Sequence, residues 1–403
     1  MSRSPKIAIA SSGLGHVARG IEAWADDLGR ALAARGENVI LCKGSGTATH
    51  PYERVVSCLP RESTSNRRLL KCLPKKGSWR FGLGSGYGIE QTSFAFNLIR
   101  VLRRERIDIL HVQDPQVAVI AQRARRFGII RTRTILAHGT EESPDFLRRI
   151  EFLQHLAPWH LEAMKDAGVW KPSWTAIPNF IDTDRFSPGA SNSLRAELGI
   201  PPEALIVLTA AAIKRHHKRI DYLLAEFARL GSALPSLPVW LVVAGGWEAS
   251  TDELIKEGRQ LLGDRVRFLV RFPRERMPDL YRSANLFVLC SLFEMMPIAL
   301  LEATACGLPC IVNRHPIVEW MTGPGGVPID MAGPGVLAGT LAEILSDPER
   351  RMRQAGAARG HCVANFSEDI VVRQIHSYYR EVMGDSHSNT PQPSHHQPCA
   401  SVS

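Results

Sequence analysis

At 403 residues the chain exceeds what one hydrophobic core ordinarily serves, so two domains are expected. Its composition, 44% hydrophobic and 22% charged, is that of a globular protein, and no apolar run approaches the roughly 18 residues a membrane span needs. The net charge of +9 is uneven: residues 1–180 hold 27 Lys and Arg against 16 Asp and Glu, a net of +11, and residues 181–403 hold 22 against 24, a net of −2. A basic N-terminal half suits an anionic partner, whether acidic lipid, a phosphorylated acceptor or nucleic acid, and equally a merely soluble basic face. Aromatics are few in the basic clusters and no nucleic-acid motif is present, so nucleic acid is not expected as a partner. The eight cysteines form no CxxC pair and the opening MSRSPKIAIASSG runs straight into a strand, which leads us to expect a cytoplasmic, reduced protein without a zinc site.

Residues 6–11 (KIAIAS) read as a buried parallel strand, 13–18 (GLGHVA) as a glycine loop, 21–35 as a helix closed by Gly36, and 38–43 as a second strand. Together they make one βαβ unit. Residues 44–90 are rich in Lys, Arg, Gly, Ser and Pro and read as loops with short elements, a binding loop or lid rather than core. A helix at 91–106, a strand at 107–112 ending in Asp114-Pro115, a helix at 116–127 and a strand at 133–137 follow, then His138-Gly139. Residues 147–167 read as a helix broken near Pro158, and 174–177 as a strand. The segment 178–189, PNFIDTDRFSPG, has the turn composition of an interdomain linker.

The second half repeats the alternation, with strands at 205–212, 239–244, 266–270, 286–290 and 310–313 and helices at 220–229, 252–262 and 277–283. Helices near 335–346, 348–365 and 368–383 close the fold, and the polar, Pro- and Ser-rich tail 384–403 is expected to be disordered. Strands alternating with helices throughout predict an α/β protein of two doubly wound halves facing a cleft, divided at 180/181.

Three clusters carry the chemistry. The stretch 291–309, SLFEMMPIALLEATACGLP, sets Glu294 before a helix and Glu302 inside it, with Pro297 suited to the first turn and Gly307 to a C-terminal cap. A helix start delivered by a strand offers free N–H groups and partial positive charge to a phosphate. Spacing alone leaves Glu294 equally readable as a cap and Glu302 as a solvated residue. Next, KRHHKR at 214–219 puts Lys214, Arg215, Lys218 and Arg219 at a strand's carboxyl end, an anion site. Finally, His138 in AHGTEE ends a strand of the first half, where a histidine can contact a substrate hydroxyl; His111 reads as core edge and Asp114 as nearer the cleft. The loop at Gly13 and Gly15 matches G-x-G-x-x-A and opens an alternative, an NAD(P)-dependent oxidoreductase, but Lys43 stands where the second strand should end in an acid.

As a set these stretches resemble the family 4 retaining glycosyltransferases of the GT-B fold. The residues that carry the resemblance are Glu294 and Glu302 with seven residues between them, Cys306-Gly307-Leu308-Pro309, the Gly13–Gly15 loop, DILHVQD, His138-Gly139, IPNFIDTDRFSP, HKRIDYLLAEF, VVAGG and PDLYRSANLFVLCS. The resemblance covers about residues 5–383 and implies two Rossmann-like domains, 1–180 on the acceptor side and 181–367 binding a nucleoside-diphosphate sugar, with the last helix 368–383 crossing back. By position it implies that Glu302 holds the donor ribose, Glu294 the donor sugar, and the backbone of Pro297, Ile298 and Ala299 the diphosphate. Lys214 and Lys218 would neutralise the leaving group without a metal or cofactor, His138 would meet the sugar or acceptor hydroxyl, Arg271-Phe272 the nucleobase, and Gly13 and Gly15 would let the loop approach the donor. The implied acceptor is a sugar or a lipid-linked molecule, with peripheral contact to an anionic membrane. A catalytically silent sugar-nucleotide-binding protein is the remaining alternative. Met295 and Met296 stand where the family has Gly and an aromatic, Val270 where it often has Gly, and Lys214 substitutes for its usual Arg.

Overall fold

The computed structural model describes residues 4–17, 19–74, 77 and 82–384. Ala18 of the glycine loop and the tail beyond Gly384, with its histidines, lie outside the described residues. The first half runs β1 (Ile7–Ser11), α1 (Gly20–Ala34), β2 (Val39–Lys43), β3 (Glu53–Val55), α2 (Thr64–Cys72), α3 (Gly86–Arg104), β4 (Ile109–Val112), α4 (Pro115–Arg126), β5 (Arg133–His138), α5 (Pro144–Leu147), β6 (Phe152–His155), α6 (Pro158–Asp166) and β7 (Trp174–Ala176). The second runs α7 (Asn192–Glu197), β8 (Leu205–Ala210), α8 (Ile220–Ala233), β9 (Val239–Gly245), α9 (Thr251–Leu262), β10 (Val266–Val270), α10 (Met277–Ser283), β11 (Leu286–Leu289), α11 (Ile298–Ala305), β12 (Cys310–Asn313), α12 (Pro316–Thr322), β13 (Gly326–Ile329), α13 (Val336–Leu345), α14 (Pro348–Phe366) and α15 (Glu368–Met383).

The strands form two parallel sheets, one of seven strands in the order β3-β2-β1-β4-β5-β6-β7 and one of six in the order β10-β9-β8-β11-β12-β13. Both are doubly wound. Chain order reverses between β1 and β4 in the first and between β8 and β11 in the second, and such switch points leave crevices at the strands' carboxyl ends where ligands bind. The central strands are buried on both faces, as in Ile7–Ser11 and Leu286–Leu289, which is why they read as continuous apolar runs.

One apolar cluster is continuous through both halves, joining Trp24 of α1, Phe180 of the linker, Ile206 of β8, Leu300 of α11 and Tyr379 of α15. The backbone crosses between the halves twice, and the crossings pair: Ile181 N–H donates to the Phe366 carbonyl at 2.9 Å, and Glu368 N–H to the Ile181 carbonyl at 3.0 Å. Helix α15 then lies on the first half, where the Tyr379 hydroxyl is 2.9 Å from His111 Nδ1 and Arg35 Nη1 donates 2.7 Å to Glu368.

The structure corrects the sequence reading in several places. Residues 152–155 are a strand rather than helix; β6 pairs with β5 and β7, bringing Leu153 opposite Leu136 and Trp174. A short apolar run does not distinguish a buried strand from a helix by period, and tertiary pairing decides. The edge strand β13, whose GVPI contains Pro328, gave no strand signal because proline is tolerated only at edges. Within 44–90, α2 is capped by Ser63, whose hydroxyl accepts from Asn66 N–H at 3.2 Å. Pro297 is extended (φ −72°, ψ 117°) and precedes α11 rather than forming its first turn.

Candidate active site

The loop after β8 and the loop after β11 meet at the second switch point. There the Lys218 ammonium is bonded to the Glu294 carboxylate, both mostly buried. Two further contacts fix the loops: Leu292 N–H donates to the His217 carbonyl at 2.9 Å, and His217 Nε2 lies 2.6 Å from the Phe293 carbonyl oxygen, the rings stacked with centroids 4.3 Å apart. The turn is tight enough that His217 and Arg219 take positive φ (70° and 52°), a conformation worth maintaining only where neighbours enforce it. The six-residue basic run therefore divides. Arg215 is drawn off to Glu257 at 2.6 Å, and Arg219 donates to the Met331 carbonyl and lies over Tyr222. Half-buried Lys214 has no ion-pair partner among the described residues, and Lys218 is held at the crevice by Glu294.

Glu302, in the second turn of α11, is 4% exposed. Its Oε2 accepts the Tyr281 hydroxyl at 2.7 Å, and its Oε1 lies 3.5 Å from Arg274 Nη1. Burial pushes the carboxyl up, against the pull of Arg274 and Tyr281. A carboxylate offers about four lone-pair positions, so acceptor capacity remains beyond these two partners. The solvated reading of Glu302 is thus excluded, and so is a capping role for Glu294: the start of α11 has no side-chain cap bond, and the Glu294 carboxylate accepts from Lys218 instead. Ile298 and Ala299 are half-buried at the start of α11, and a Cβ on Gly20 of α1 would come within 4.0 Å of Ile298 Cδ1. Exposed Arg271 (φ 56°) donates its N–H to the Gly245 carbonyl, and Phe272 packs half-buried on the core beneath Arg276.

The two methionines are not equivalent. Met296 is 5% exposed and faces the linker: Asn179 N–H points to its sulfur at 3.0 Å and Asn179 Nδ2 donates to its carbonyl at 3.1 Å. Only Met295, half-buried, remains beside Glu294.

In the first half, His138 ends β5 in a nest of histidines. Its Nδ1 is 3.3 Å from His155 Nδ1, and its ring centroid is 5.8 Å from that of His160. Burial holds the three rings neutral, pushing His138 down to about 3, His155 to about 2 and His160 to about 4. His138 Nε2, His155 Nε2 and His160 Nδ1 have no partner among the described residues, and none of the described His, Cys, Asp and Glu groups has metal-binding geometry. Trp159 beside them touches His315 of the second half, ring centroids 5.5 Å apart, so the nest borders the cleft.

The glycine loop turns out to be shaped by its own chain. A Cβ on Gly13 would lie 2.0 Å from Glu22 Oε1, and one on Gly15 (φ +99°) would lie 2.2 Å from the Ser45 carbonyl. Lys43, which stands where a dinucleotide site would need an acid, is paired with Glu53 at 3.2 Å. Around the loop, at the β1/β4 switch, sits a polar cluster the sequence did not announce: Glu22, Arg61, Tyr87, Glu90 and Asp114, of which only Asp114 stood out, as the residue after a strand. Arg274, Tyr281, His155 and His160 were missed for the same reason: each acts through a neighbour distant in sequence, and no local motif marks it.

Residues 18–185 match the Glycosyltransferase Family 4 model and residues 191–361 the Glycosyl transferases group 1 model. The chain belongs to the family 4 glycosyltransferases, and its two sheets are the GT-B fold. It is 31% identical over 230 residues to a D-inositol 3-phosphate glycosyltransferase of Corynebacterium jeikeium, a match covering 54% of each chain. It is 30% identical over 177 residues to an alpha-galactosylglucosyldiacylglycerol synthase of Streptococcus pneumoniae, covering 42% of this chain and 45% of that one. The chain spans about half the length of the curated relatives it matches. Among solved structures, sucrose-phosphate synthase from Thermosynechococcus elongatus superposes with a TM-score of 0.75 at 21% identity, over 95% of this chain and 100% of that one. Anabaena Alr3699/HepE in complex with UDP-glucose gives 0.71 at 16% identity, over 94% and 100%.

Proposed function

We propose that this protein is a retaining glycosyltransferase that moves a sugar from a nucleoside-diphosphate sugar to an acceptor hydroxyl without a metal. The observation that carries the reading is the Lys218–Glu294 pair at the β8/β11 switch point, set before the start of α11. The acceptor oxygen bonds to the anomeric carbon on the face the diphosphate leaves. The carbon–oxygen bond to the diphosphate breaks, the acceptor's proton passes to a diphosphate oxygen, and nucleoside diphosphate departs. Lys214 and Lys218 offset the charge that develops on that leaving group, a role in which preorganised cations act most strongly away from water. The first N–H groups of α11, at Ile298 and Ala299 after Pro297, face the diphosphate because a helix start has no partners of its own for them. Glu294 holds a sugar hydroxyl, Glu302 the ribose, Arg271 and Phe272 border the base, and neutral His138 offers Nε2 to the sugar or acceptor. Gly13 and Gly15 keep the loop low at the cleft floor.

This reading is tested by calorimetry and thermal shift with UDP, GDP and ADP and their sugars, because a ligand bound only by the folded state raises apparent stability. One nucleoside diphosphate should raise Tm by several degrees and its sugar should be turned over; a chain that binds none of them is not a glycosyltransferase.

We further propose peripheral contact with anionic membrane from the cytoplasmic side through α2, where Arg67, Arg68 and Lys71 stand beside exposed Leu69 and Leu70. Among the described residues, no helix is long and apolar enough to cross a membrane. Binding to phosphatidylserine vesicles at low salt that fades at 0.5 M salt supports this, and no binding at low salt overturns it.

A further inference from the structure

We infer that the acceptor is an uncharged, hydroxyl-rich molecule, a sugar or polyol without a phosphate, held by Glu22, Asp114 and Arg61 in the β1/β4 crevice. The inference rests on the glycosyltransferase reading and narrows its acceptor.

Charge is the first argument. Three carboxylates are buried here: Glu22 at 4% exposure, Glu90 at 0% and Asp114 at 1%. Arg61 is committed to Glu90, donating to its Oε1 from Nη2 at 2.6 Å and from Nε at 3.1 Å, and His16 Nε2 lies 2.9 Å from the same carboxylate. Asp114 is held only by neutral donors, the Ser12 N–H at 2.8 Å, the Ser12 hydroxyl at 3.1 Å and the Tyr87 hydroxyl at 2.8 Å. Glu22 has Arg61 at 3.5 Å. Among the described residues Arg61 is the guanidinium of this cluster and its charge is already paired with Glu90, so a phosphate dianion would face Glu22 and Asp114 without a cation of its own, whereas a neutral hydroxyl can still accept an N–H of Arg61 beside them.

An unfilled bond is the second. Glu22 Oε2 has no hydrogen-bond partner among the described residues, nor has Ser11 Oγ at the end of β1. Leaving a buried polar atom unpaired costs about 1–3 kcal/mol, a cost that a hydroxyl donated to Glu22 Oε2 would remove. Glu22 lies over Gly13, whose missing side chain is what makes room for it. A phosphate only accepts; a hydroxyl donates to a carboxylate and accepts from a guanidinium at once, the pairing Glu22 and Arg61 together require. Burial also raises Glu22 to about 7, so it exchanges between acceptor and donor near neutral pH, and a hydroxyl answers either form.

The test follows nucleotide release by the full chain from UDP-glucose, GDP-mannose and ADP-glucose with paired acceptors: glucose and glucose 6-phosphate, inositol and inositol 3-phosphate, glycerol and glycerol 3-phosphate. The expected result is that an unphosphorylated member raises release at least tenfold over donor alone, while its phosphorylated counterpart is at least tenfold poorer. Glu22→Gln and Asp114→Asn, checked for an unchanged fold, should lower kcat/KM for that acceptor about tenfold while donor KM stays within twofold. A phosphorylated member used as well as its counterpart overturns the inference, as does a neutral panel that leaves release unchanged while donor binds by calorimetry. Absence of donor binding brings down the glycosyltransferase reading itself, and calorimetry tells the two failures apart.

Discussion

Arg274 of the second half donates from Nη2 to Asp27 of α1 in the first half at 2.6 Å. The same guanidinium reaches Glu302 at 3.5 Å, and Glu302 in turn accepts the Tyr281 hydroxyl. The carboxylate proposed to hold the ribose is therefore tied to the opposite domain through one side chain. Burial raises both Asp27 and Glu302, and Arg274 is the strongest of the groups that oppose it in each.

Replacing Arg274 with Met should leave two buried carboxylates without their cation. Removing one partner of a buried pair costs about 3–5 kcal/mol; with the Arg274 side chain about a third exposed, the lower end is expected. Urea unfolding at pH 7 measures it. Arg274→Lys should recover only part, because a single ammonium does not span both carboxylates as a planar fork does. A midpoint shift for Arg274→Met no larger than for an exposed arginine such as Arg353 would show that the bridge carries no stability.

Lys218→Ala should reduce turnover by about 10²–10³, the usual loss when one group stabilising a developing negative charge is removed. The loss should appear in kcat more than in donor KM. Lys214→Ala, at a half-buried position without an ion-pair partner among the described residues, should cost less turnover. Equal effects of the two would contradict the arrangement in which Lys218 is aligned by Glu294.

Much of this could be read from residue order because the fold's signals are local. Buried parallel strands such as Leu286–Leu289 are short apolar runs, α15 was legible to the residue, and the basic turn at 214–219 advertised itself by charge. The candidate site could be marked out where its residues are adjacent, as in Glu294 to Glu302. It was not legible where function depends on distant pairing. Nothing near Arg274 says that Asp27 lies opposite, 247 positions away, and nothing near Glu22 says that Arg61 and Asp114 converge on it. The same limit hid β6, which only its neighbours make a strand. Met296 illustrates the converse: it stands in the motif where the resembling family has an aromatic, yet its side chain serves the linker.

Acid should weaken the fold through the histidine nest. Burial lowers His138, His155 and His160 from 6.5 to about 3, 2 and 4. Between those values and 6.5 the unfolded chain binds more protons than the native one, so stability is present above about pH 6.5 and is lost as pH falls, by roughly 1 kcal/mol per unit for each ring. Tm should fall steeply from pH 7 to pH 5, and His155→Gln should flatten that slope. An unchanged slope in the variant would remove His155 from the account.

Glu22 should act in the opposite sense. Burial raises its carboxyl from 4.5 to about 7, so between those values the native protein holds a proton that the unfolded chain has released. Its contribution is therefore favourable relative to high pH below about 4.5 and declines as pH rises to about 7, above which the buried charge costs on the order of 2–3 kcal/mol. Glu22→Gln keeps the shape of the protonated form and removes that cost. The variant should match the wild type near pH 5 and be the more stable protein at pH 8, as measured by urea unfolding at both. Should Glu22→Gln instead destabilise at pH 8, the Arg61 contact at 3.5 Å would outweigh burial, and the crevice would hold a settled ion pair with no proton to exchange with an acceptor hydroxyl.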